Sequence, residues 1–199
     1  MPGLPIKLNP TMKPPVQTLP LLAASLLLSA LPAAASSHTW EINEIYSNFD
    51  GSVQFIELIE SLGSDGQGVF NGITISSTSA TYTFGANITS STANLRLVLA
   101  TSSFVGLAGI TPDFGDLPAG FFDPAGDTIN FRNVDIVSFM GLPTNGSDSF
   151  NYSGGSGAGL TTATNTPTNL ASQTGQVPEP SSALLLSLGA VVLLTRRRG

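Results

Sequence analysis

Cysteine is absent from the 199 residues, and histidine and tryptophan occur once each, as His38 and Trp40. Without cysteine no disulfide can form, so stability has to come from a packed core. A single histidine and no cysteine exclude the common zinc and iron ligand sets. His38 falls at the edge of the region that reads as folded, too close to a fraying terminus to serve a Ser-His-Asp site. Lysine occurs only as Lys7 and Lys13, which leaves the body without a Schiff-base nucleophile. No glycine-rich phosphate loop precedes a helix. Positive charge is scarce throughout the middle of the chain. Lys7, Lys13, Arg196, Arg197 and Arg198 lie at the two ends, so only Arg96 and Arg132 face the thirteen acids between Glu41 and Glu179. That stretch carries 2 − 13 = −11, against −6 for the whole chain. Such a surface repels phosphate backbones and excludes nucleic-acid binding; it suits divalent cations or a hydrated matrix.

What is present at the ends describes export. Lys7 and Lys13 precede an apolar stretch from Leu19 to Leu31, followed by Pro32-Ala33-Ala34-Ala35-Ser36. A positive region, an apolar region and small residues at the cleavage point make residues 1–35 a secretory signal peptide. Signal peptidase is expected to cut between Ala35 and Ser36, with Ala33 at the −3 position. At the other end stand Val177-Pro178-Glu179-Pro180, a charge-free run from Ser181 to Thr195, and Arg196-Arg197-Arg198. As a helix that run would be about 22 Å long at ~1.5 Å per residue, short of the roughly 30 Å of bilayer hydrocarbon. The arginine cluster would stay cytoplasmic and stop transfer.

These three blocks in this order resemble the C-terminal sorting signal of the PEP-CTERM proteins of Gram-negative bacteria. The resemblance implies that residues 177–199 are recognised and removed by a membrane transpeptidase-like protease, the exosortase. It further implies tethering to the inner membrane during sorting, then a place in the cell envelope or outside it, among exopolysaccharide and biofilm material.

Between the ends, about 140 residues are enough for one domain with a sizeable core. Residues 36–153 read as all-β. Val53–Ile59 is apolar on both parities, as in a central strand covered on both faces. Residues 72–76, 81–84 and 94–99 are further strands, and 127–131 with 134–139 flank Arg132-Asn133 as a hairpin. Helix is limited to a turn or two near residues 103–107. Ile42–Tyr46, Asn48–Ser52 and Phe55–Leu58 are similar to the opening of a lamin-tail-type domain, which implies a single immunoglobulin-like β-sandwich with a binding or scaffolding role. Residues 154–176, rich in Gly, Ser, Thr and Asn, read as a flexible stalk.

Elimination leaves only carboxylate chemistry. Glu44 and Glu57 fall inside otherwise apolar strands and are candidates for an acid pair that cleaves glycosides. The simpler reading is that each accepts hydrogen bonds and fixes a strand crossing. Asp113, Asp116, Asp123 and Asp127 offer oxygens for calcium, although turn chemistry accounts for most of them, and Phe114, Leu117, Phe121 and Phe122 tether that loop to the core. We therefore expect a non-enzymatic exported protein that needs no cofactor. The alternatives are a carbohydrate- or calcium-binding module and a carboxylate glycoside hydrolase.

Overall fold

The computed structural model describes Gly3, residues 37–152 and residues 159–178. The signal segment, the Ala33, Ala35 and Ser36 junction, the expected C-terminal hydrophobic helix, Glu179, Pro180 and Arg196–Arg198 lie outside the described residues. Among the described residues no helix is long and apolar enough to cross a membrane.

Among the described residues, ten strands build two sheets, accompanied by one 3-10 turn. They are β1 (Trp40–Ser47), β2 (Gln54–Glu60), β3 (Thr74–Ser76), β4 (Thr81–Thr83), β5 (Arg96–Thr101), β6 (Phe114–Leu117), β7 (Gly126–Phe131), β8 (Asp135–Met140), β9 (Asp148–Tyr152) and β10 (Leu160–Thr164). The 3-10 turn spans Ser102–Phe104. The larger sheet runs β10-β9-β1-β2-β5-β6 and the smaller β4-β3-β7-β8. All pairings are antiparallel except β5 with β6. An all-β chain in two layers is a β-sandwich, consistent with the immunoglobulin-like architecture that the lamin-tail resemblance implies.

Alternation of side chains decides what each face buries. Ile42, Ile45, Ile56, Leu58, Leu97 and Leu99 of the larger sheet meet Ile75, Tyr82, Ile129, Phe131, Val137 and Phe139 of the smaller one in a single core. In β8 the alternation is complete, with Asp135, Val137 and Phe139 buried and Ile136, Ser138 and Met140 exposed. The β7–β8 hairpin turns on Arg132 and Asn133, both at positive φ (53° and 56°), as in a type I′ turn; Val134, whose N–H donates to the Phe131 carbonyl at 2.8 Å, follows as a third loop residue before Phe131 pairs with Asp135. Phe121 and Phe122 are fully covered in the same core, so the loop after β6 is tethered as its apolar residues suggest.

A second apolar cluster lies on the opposite face of the larger sheet. It contains Tyr46, Val53, Phe55, Val98, Ala100, Phe104, Ala108, Ile110 and Val177. β2 thus has both faces covered, which explains its unbroken apolar run.

Two segments differ from the sequence-based expectation. Phe114–Leu117, read as loop, is the edge strand β6. The expected stalk over 154–176 is corrected from Leu160 onward: Leu160–Thr164 pairs with β9 from Tyr152 to Asp148, and residues 165–177 form a strap across the outer face. Composition misses this because the ordering groups lie far away in the chain. The backbone N–H groups of the strap are claimed by side chains of β1, β2 and the β5–β6 connection, which no local window contains.

Candidate functional site

A β-bulge places the two glutamates. β1 and β2 pair Ile42 with Leu58 and then Glu44 with Glu57, leaving Asn43 as the extra residue. One inserted residue shifts the alternation of everything after it. Ile42 and Ile45 therefore both face the inter-sheet core, while Glu44 joins Glu57 on the outer face. Glu57 does share a face with Val53 and Phe55, but that face looks toward the strap and not toward the second sheet.

Both glutamates are completely buried. Glu57 Oε1 accepts from Asn43 Nδ2 at 2.6 Å and from Arg96 Nη1 at 3.0 Å; its Oε2 accepts from the Thr168 N–H at 2.5 Å. Glu44 Oε1 accepts from Ser149 Oγ at 2.6 Å and from the Thr166 N–H at 2.9 Å. Its Oε2 is buried without a partner. Burial pushes Glu57 up to about 7; Arg96 opposes the rise, and the facing Glu44 adds to it. Burial likewise raises Glu44, against the hydrogen bonds from Ser149 and Thr166 and the charge of Arg96.

The strap forms the roof of this pair, and its attachment continues beyond it. Asp113 accepts from the Val98 N–H at 2.8 Å and from the Leu170 N–H at 3.1 Å. Asn165 Oδ1 accepts from the Val177 N–H at 2.6 Å, and its Nδ2 donates to the Val177 carbonyl at 3.2 Å and to the Ser147 carbonyl at 2.7 Å. Body acceptors thus take the N–H groups of residues 166, 168 and 170, every second residue. That spacing holds an extended chain as a sheet neighbour would. Close packing follows at Gly175, where a Cβ would stand 2.1 Å from the Ala108 carbonyl oxygen. Gly175→Ala is expected to cost about 1–3 kcal/mol by overpacking. A drop in the urea midpoint would report it, and an unchanged midpoint would show that the strap is not seated there.

While the strap is seated, a sugar ring reaches neither carboxyl. The open cleft lined by Asp65, Gly68, Asn87, Ile88 and Ser91 contains neither glutamate. What the arrangement does is bind chain to chain: two buried acids and Asp113 fasten the C-terminal segment to the sheet.

The four aspartates considered for calcium are turned to separate tasks. Asp113 binds the strap, and Asp116 accepts from the Tyr82 hydroxyl. Asp123 Oδ1 accepts from the Ala125 N–H at 2.9 Å. Asp127 accepts from the N–H groups of Thr78, Asp123 and Thr128. Only Asp123 and Asp127 are brought together, and no group of three or more acids or histidines positioned for a metal occurs among the described residues. Sequence reasoning missed Asn43, Arg96, Ser149 and Asn165. Asn43 carried a signal, since asparagine is depleted in strands and invites a bulge. The other three had none.

Of the sorting residues, Val177 is buried and Pro178 exposed, so the tail departs directly from the strap. No curated protein and no solved structure matches the chain. Residues 176–198 match the family model described as the PEP-CTERM protein-sorting motif. That match identifies the tail as a sorting signal and marks the chain as an exported exosortase substrate, anchored at the membrane before processing.

Proposed function

We propose that the protein is a non-catalytic component of the cell envelope or extracellular matrix, with the β-sandwich as cargo and residues 176–198 as its address. The observation that supports this most is the use made of Glu44 and Glu57. Both are fully buried beneath the strap, and two of the hydrogen bonds they accept fasten the segment that leads into the sorting motif. Acids committed in this way hold a structure together; they do not present themselves to a substrate. The net charge of −11 and the absence of lysine from the exported stretch suit residence in a hydrated polysaccharide matrix, where self-repulsion keeps chains soluble.

Mass spectrometry of the protein from its native host tests the reading. The expected species begins near Ser36 and has lost the segment carrying Arg196–Arg198. Recovery from the cytosol of a chain intact from Met1 to Gly199 would overturn it.

A further inference from the structure

The place at which the sorting tail leaves the domain is defined by a hydrogen bond. Val177 packs among Tyr46, Phe55, Phe104, Ala108 and Ile110, and the Gln176 N–H donates to the Ala108 carbonyl at 3.1 Å. The exit is therefore fixed to the loop over residues 102–110. That loop contains no charged residue: Ser102-Ser103-Phe104-Val105-Gly106-Leu107-Ala108-Gly109-Ile110. Phe104, Ala108 and Ile110 are buried in the outer cluster, whereas Val105 is 58% and Leu107 43% exposed.

Single exposed apolar residues are ordinary. The position of these two is not. Four Cα steps separate buried Val177 from Ser181, where the charge-free run begins, so even a fully extended connection spans at most about 14 Å. The headgroup layer on each side of a bilayer is roughly 5–8 Å thick. A tail standing in the membrane thus brings its exit point, and the loop bonded to it, up against the headgroups.

We propose that loop 102–110 is a membrane-docking surface whose Val105 and Leu107 enter the boundary between headgroups and acyl chains beside the tail. This rests on the sorting reading, because the tail sets the distance. The partner is the apolar boundary of a phospholipid bilayer and not anionic headgroups, since the loop has no cation and the body is strongly anionic. Two small side chains bury less apolar surface than one myristoyl group, itself only a marginal anchor. Docking therefore orients the domain while the tail remains and ends when the tail is removed.

The natural absence of cysteine allows single-site labelling. Full-length L107C and, in parallel, V105C carry an environment-sensitive fluorophore and are reconstituted into phosphatidylethanolamine vesicles with a minority of phosphatidylglycerol. M140C, on the other sheet and 84% exposed at the native residue, is the reference. The expected result is a blue-shifted label at 105 and 107, quenched several-fold more than at 140 by lipids spin-labelled high on the acyl chain. Flotation of the same samples beside a chain ending at Pro180, which keeps the apolar stretch Leu19–Leu31 but lacks the charge-free run, reports the tail separately. Chains that float with no more quenching at 105 and 107 than at 140 overturn the docking surface and leave the sorting reading standing. Full-length chains that float no better than the chain ending at Pro180 overturn both.

Discussion

Glu57→Ala will lower the stability of this protein by about 3–5 kcal/mol, the range for breaking a buried charged pair from one side. Three donors lose their acceptor together: Asn43 Nδ2, Arg96 Nη1 and the Thr168 N–H. The arginine side chain is 38% exposed, so water rescues part of its loss and the lower end of the range is the better guide. Asn43 is buried and has no such recourse, and a buried donor left bare costs about 1–3 kcal/mol; the half-buried Thr168 recovers part of its loss. Glu57→Gln is expected to be milder. Its amide oxygen can still accept from Asn43 and Arg96, but its NH2 then points at the Thr168 N–H, donor against donor. The difference between the two variants isolates the strap contact from the bulge contact. Urea denaturation of both, with susceptibility to proteolysis after Thr164 as a local probe, checks the argument. Equal loss in the two variants, or no strap exposure in either, would defeat it.

The fold was legible where local pattern and burial agree. Ile136 and Met140 against Val137 and Phe139 in β8, or Arg132-Asn133 between two alternating runs, carry their structure in the nearest few residues. Reading failed where the partner is distant. β6 is a four-residue strand whose parallel neighbour is β5, and its Phe-Gly-Asp-Leu sequence has no period to detect. β10 and the strap consist mainly of Thr, Ala, Asn, Gln, Ser, Pro and Gly, with Leu160, Leu170 and Val177 as their few large apolar residues, too few to order the segment by themselves. They are ordered by acids more than a hundred residues away in the chain, Glu44 to Thr166 and Glu57 to Thr168. The glutamates were noticeable as charges in apolar strands. That they face each other depended on one extra residue, Asn43, and a bulge of one residue decides which face every later side chain takes. The sorting signal was legible outright because it is a linear motif, complete within residues 176–198.

Stability should fall as pH rises from about 5 to 8. The sign follows from the two glutamates. Their folded-state values lie above the ordinary value of 4.5, with Glu57 at about 7. In that interval the folded protein holds protons that the unfolded chain has released, so deprotonation favours unfolding. The stabilising contribution is complete below about 4.5 and is lost as pH passes through about 7. The proton belongs to the Glu44–Glu57 pair, and a rise of this size corresponds to something on the order of 3 kcal/mol for the pair taken together. Burial raises Asp113 and Asp135 as well, and these push in the same direction. Asp50, Asp65 and Asp127 are held below their ordinary value of 3.8 by hydrogen bonds; their stabilising effect is lost only as pH falls below that value. The optimum should therefore lie near pH 5. All three partners of Glu57 are donors, which favours its anion. Glu44 Oε2 has no donor aimed at it and is the better seat for the proton that the pair retains. Glu44→Gln imitates that protonated state: its amide oxygen still accepts from Ser149 and Thr166, and its NH2 replaces the bare oxygen. It is expected to flatten the decline between pH 5 and 8 and to make the variant more stable than the parent at pH 8. Thermal melts across that interval decide the matter, since a variant with the parent's slope would mean that the proton is held elsewhere.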